Sequence, residues 1–155
     1  MFEIGDLLAV AEKLLGIDAT RLKLMVNIPS AESALAAPFA GVADQMFYEH
    51  PVQRAAILAS RLIRNHPLPD GNKRAALYLM DLYLEENGYE LHASPEEIDS
   101  MFRAVAAREH SEDYFRRMGL FTRRAHVAPS AKHRPVLAPA AARLTARDAG
   151  TLLTL

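Results

Sequence analysis

The chain has 155 residues, half of them hydrophobic and about a quarter charged, with no cysteine and a formal net charge of −1. The missing cysteine excludes a disulfide scaffold, a thiolate metal site and a thiol nucleophile, and fits a reducing compartment. No uninterrupted apolar run reaches transmembrane length, and "MFEIGDLLAVAEKLLG" carries Glu3 and Asp6 where a signal peptide wants cations, so the expected location is the cytoplasm, with no membrane partner.

In that first stretch, Ile4, Leu7, Leu8, Ala11, Leu14 and Leu15 have the spacing of an amphipathic helix over 4–15. "IPSAESALAAP" offers Ser30 as N-cap of a short helix that stops near Pro38. Residues 38–50 show no clear period and read as a loop or short hairpin. "PVQRAAILASRLIRN" has the clearest helical period in the chain. Pro51 suits its first turn, and Val52, Ala55, Ala56, Ala59, Leu62 and Ile63 form one apolar stripe. The run from Ala75 to Leu84 is apolar nearly all round, as expected of the most buried helix, and Gly88 stands where a left-handed cap belongs. Ser94, Pro95 and Glu97 form a capping-box pattern before another helix, and a last helix is expected at roughly 111–119. No strand alternation or internal repeat stands out. The expected fold is an all-α bundle of five to seven helices around one central hydrophobic helix.

Charge divides the chain. Six basic residues but only one acid (Asp148) follow position 121, which leaves 12 basic and 18 acidic residues before it. The body, 1–121, is thus about −6 and the extension, 122–155, about +5. The extension is rich in Ala, Arg and Pro and reads as a linker or weakly structured tail. An acidic body argues against nucleic acid as the main partner.

Between the two strongest helices lies "NHPLPDGNKR", residues 65–74. Lys73 and Arg74 fall at the start of a helix, where the macrodipole disfavours positive charge. A helix N-terminus also presents unpaired N–H groups and so binds anions, Gly71 lets a backbone approach a bulky anion, and two cations strengthen the attraction. Asp70 beside such a cradle suits Mg²⁺ bridging phosphate oxygens, and His66 suits general-base work near neutral pH. Each residue alone has an ordinary reading: a capping histidine, a turn, a helix cap at Asp70 or Asn72, a solvated cation pair. Their convergence at the start of the most buried helix is what points to phosphoryl or nucleotidyl transfer.

The stretch His66-Pro-Leu-Pro-Asp70-Gly71-Asn72-Lys73-Arg74 resembles the motif of the Fic/Doc family, roughly His-x-Phe-x-Asp/Glu-Gly/Ala-Asn-Gly/Lys-Arg. "ESALAAP", the helix 51–65 and "YLEENGYEL" extend the resemblance, which favours the Doc ("death on curing") branch and covers roughly 1–121. Leu68 stands where Phe, which anchors the loop in the core, is usual, so leucine should weaken the packing there without removing the chemistry. The resemblance implies a Fic-type helical bundle with ATP as substrate and Mg²⁺. It implies His66 as the base, Asp70 at the metal, Gly71 and Asn72 (backbone and side chain) as the anion hole, and Lys73 and Arg74 as phosphate clamps. It places a target-docking flap over 38–50. Lysine rather than glycine at 73 implies transfer of the γ-phosphate to a protein hydroxyl, in that branch a threonine of translation elongation factor Tu. The alternatives are an AMP transferase and a catalytically silent Fic-fold binding protein. No Ser/Thr-x-x-x-Glu-Gly/Asn inhibitory pattern occurs in the chain, so the resemblance implies a separate antitoxin as partner.

Overall fold

A computed structural model describes residues 1–107, 119 and 122–124. Among them are six α-helices: α1 Ile4–Leu15, α2 Ala19–Met25, α3 Ile28–Ala36, α4 Pro51–Asn65, α5 Asn72–Glu86 and α6 Pro95–Ala106. The expected all-α bundle is what forms. None of these helices is long and apolar enough to cross a membrane.

The limits of each helix follow from local chemistry. Glycines in the left-handed region stand just beyond two of them: Gly16 caps α1, and Gly88 follows Asn87, the cap of α5. The expected capping box of α6 forms: Ser94 Oγ accepts from Glu97 N–H, and the Glu97 carboxylate accepts from Ser94 N–H at 2.8 Å. At α3 the expectation of Ser30 as N-cap is corrected. The cap is Asn27, whose Oδ1 accepts from Ser30 N–H at 3.1 Å, and the helix starts two residues before Ser30. Asn caps as well as Ser, and Pro29 is compatible with the first turn. Helix α2 was not expected. Asp18 caps it by accepting from Thr20 and Arg21 N–H, but its seven residues are too few to show a helical period.

Helix α5 is the centre. Ala75 to Met80 and Leu82 to Leu84 are all buried, and α4 is its most extensive neighbour. On α4 the buried face is wider than the six-residue stripe, since Ile57, Leu58 and Ser60 are buried as well. Both long helices are therefore held by apolar burial on several sides, worth roughly 1.5–3 kcal/mol for each large side chain. Helices α1 and α3 add Leu7, Leu8, Val10, Ala31 and Leu35 to the core, and α6 adds Ile98, Met101, Phe102 and Val105.

The small strands were only partly foreseen. Gly41–Val42 (β1) pairs antiparallel with Gln45–Met46 (β2), the hairpin form of the 38–50 expectation, with Val42 and Phe47 exposed. Tyr89–Leu91 (β3) pairs antiparallel with Thr122–Arg124 (β4), so the first three residues of the basic extension add a strand to the body. Strands of three residues are too short for alternation to register. Of the helix expected at roughly 111–119 only Gly119 is among the described residues, and the extension beyond 124 lies outside them.

Candidate functional site

Helix α4 ends at His66, which adopts a left-handed conformation (φ 46°, ψ 54°). The residue before a proline is pushed out of the right-handed helical region, so Pro67 dictates that the helix stops here. A non-glycine residue in this region is held against about 1–2 kcal/mol of backbone preference. The loop supplies the restraint. Pro67 C=O accepts from Asn27 N–H at 2.9 Å, and Asn65 Nδ2 donates to Ser30 C=O at 3.1 Å, tying the turn to the start of α3.

Leu68 anchors the loop from below. It is 2% exposed and belongs to the core, so the leucine in the phenylalanine position is buried there. Asn72 closes the turn from the other side: its Oδ1 accepts from Leu68 N–H at 2.9 Å and its Nδ2 donates to Leu68 C=O at 2.8 Å. The side chain expected in an anion hole is thus a brace that holds residues 68–72 in one ring. The Asn72 backbone N–H lies on the first turn of α5.

Gly71 stands at the N-cap of α5 with φ 73°, and its N–H donates to Asp70 Oδ1 at 2.6 Å. No side chain caps the helix. Its first N–H groups, those of Asn72, Lys73 and Arg74, have no acceptor one turn back, the condition of an anion-binding helix start. A Cβ at Gly71 would sit 3.3 Å from Leu15 Cδ2 and 3.4 Å from Arg74 Nη2. Gly71→Ala is therefore expected to cost about 1 kcal/mol through the positive φ and to shift Arg74 slightly, a change that urea unfolding measures.

His66, Asp70, Gly71, Asn72, Lys73 and Arg74 line one open pocket of about 490 Å³, together with Ile63 of α4 and Ala106 of α6. All six residues singled out from the sequence are brought together. His66 and Asp70 are exposed.

The paradox of cations at a helix start also resolves. Arg74 Nη2 lies 3.4 Å from Asp70 Oδ2, and Lys73 Nζ lies 3.2 Å from Asp99 Oδ1 on α6. Each cation has a carboxylate partner, one local and one brought in by the tertiary fold. Asp99 also pairs with Arg103 one turn along α6. Sequence reading missed Asp99. Its only signal was the i,i+4 spacing to Arg103, which marks an ordinary helix-surface pair.

No group of three or more histidine, aspartate or glutamate side chains that could hold a metal occurs among the described residues. Asp70 offers a single carboxylate at the pocket, the hard oxygen donor that Mg²⁺ takes when substrate phosphates and water complete its shell. The residues present fit a metal that arrives with a polyphosphate.

Comparison with curated proteins and with solved structures gave no match. A family model described as "Fic/DOC family" matches residues 6–84, half of the chain, from α1 through nearly all of α5 and including the whole pocket loop. Asp99 and the rest of α6 lie beyond the matched segment. The motif in its loop, the helix it opens and the matched segment agree, and the chain belongs to the Fic/Doc family, whose chemistry is the transfer of AMP or phosphate.

Proposed function

We propose that this protein is a Doc-type phosphotransferase, moving the γ-phosphate of ATP to a hydroxyl of a target protein. The observation that carries the reading is Lys73 on the first turn of α5, lining the pocket with His66, Asp70 and Arg74. At this position a glycine leaves room for an α-phosphate and its metal, whereas a lysine narrows that space and adds charge for terminal phosphates.

In this reading the N–H groups at the start of α5, with Lys73 and Arg74, bind and orient the phosphate chain. Asp70 would hold Mg²⁺, which would supply positive charge to offset that of the phosphate chain. His66 accepts the proton of the acceptor hydroxyl. The hydroxyl oxygen bonds to the γ-phosphorus, the bond to the bridging oxygen breaks, and ADP leaves. Catalysis by positioning and electrostatics suits a loop braced as tightly as 65–72. The β1–β2 hairpin would dock the acceptor segment by strand addition. By resemblance the acceptor is a threonine of elongation factor Tu, the outcome is blocked translation in the cytoplasm, and a separate antitoxin restrains the enzyme.

AMP transfer is the second reading, and one observation favours it: Asp99 draws the Lys73 ammonium toward α6, which reduces crowding at the cradle. Incubation of the protein with cell extract and either γ- or α-labelled ATP separates the two. Label on a protein from the γ position alone is expected. Label from the α position but not the γ position overturns the kinase reading in favour of AMP transfer.

A further inference from the structure

The ion pair between α5 and α6 has a consequence at the pocket. Lys73 lines the pocket, yet its ammonium rests on Asp99, 3.2 Å away. The Asp99 side chain is only 26% exposed and is itself gripped by Arg103 from the next turn of its own helix. Lysine carries a flexible four-carbon stem with many rotamers, so an unheld Lys73 would sweep a wide volume. A carboxylate fixed by a second cation is a firm anchor for it. We propose that Asp99 is a positioning residue: it fixes the Lys73 ammonium on the α6 side of the pocket, and Arg103 in turn fixes Asp99.

This inference rests on the phosphotransfer reading for its consequence but not for its geometry. Two effects of Asp99 on a bound polyphosphate oppose each other. Its negative charge repels the phosphates, which raises KM. Its grip on Lys73 keeps the cation in a single place while charge redistributes, which raises kcat. Removing the charge with the shape preserved separates the two.

The test is a cycle of wild type, Asp99→Asn, Lys73→Met and the double variant, with Asp99→Glu as the conservative control. Met roughly keeps the length of the lysine stem, and Asp99→Asn alters a partly exposed pair, so thermal unfolding should move little. For transfer from ATP, Asp99→Asn is expected to lower kcat about tenfold with KM unchanged or lower, and Asp99→Glu to recover most of that loss. In the Lys73→Met background Asp99→Asn is expected to change neither constant by more than about twofold, because Asp99 acts through Lys73. An equal fall of kcat in both backgrounds overturns the proposal, as does a rise in KM at constant kcat. The same four proteins are titrated with inorganic pyrophosphate by calorimetry, which needs no turnover. Coupling there of at least about threefold between the two substitutions supports the positioning role even if no group is transferred, in which case the kinase reading alone fails. Additive effects on pyrophosphate affinity overturn the positioning role.

Discussion

Replacing His66 by alanine is expected to abolish group transfer, by roughly 10²–10⁴-fold, while nucleotide still binds. His66 lines the pocket from a left-handed backbone position that the loop restraints hold. Alanine removes the base but also sits poorly at φ 46°, so a second variant is needed. His66→Asn supplies it, since asparagine tolerates this backbone region well and has no basic nitrogen. Both variants should retain calorimetric pyrophosphate binding within a few-fold, because the cradle is built from residues 71–74. In cells, both should lose any growth arrest that the wild-type chain produces on induction. Equal arrest by wild type and both variants would sink catalysis by His66 and leave the silent binding protein as the better account.

Asn72→Ala should have the largest effect on stability. One buried amide satisfies both the N–H and the C=O of Leu68, and alanine leaves both without a partner. Each orphaned buried group costs about 1–3 kcal/mol, so about 3 kcal/mol in total is expected, a fall in Tm on the order of 10 °C for a domain of this size. Asn72→Asp keeps the acceptor for Leu68 N–H and loses the donor, so a smaller but clear loss is expected. Pyrophosphate binding, measured well below the new Tm, should fall with both, since an unbraced loop no longer presents the start of α5 in one geometry. An Asn72→Ala protein as stable as wild type would show that Leu68 finds other partners and that the brace is dispensable.

These expectations mark where sequence reading stopped. The helices α1, α4, α5 and α6 were legible because each carries a local signal: apolar spacing, a capping box, a proline in the first turn, or a terminal glycine. The site was legible because its six residues lie within nine positions, close enough for a motif to show in one dimension. Asn72 could be named but not assigned its part, since a side chain that turns back four residues to Leu68 leaves no periodic trace. Helix α2 and the pair β3–β4 were missed because seven and three residues carry too little pattern.

What the sequence by itself determined is the bundle's main helices and its central helix, because short-range spacing and capping encode them, and six of the pocket residues, because they lie in one short motif. What only the tertiary structure decided is how the cations at the start of α5 are tolerated. Arg74 finds Asp70 four residues away, a partner the spacing allows, but Lys73 finds Asp99 twenty-six residues along the chain. Local propensity sets where a helix begins. The packing of α6 beside α5 decides which charge meets which, since an ion pair depends on separation in space and local dielectric, not on separation along the chain.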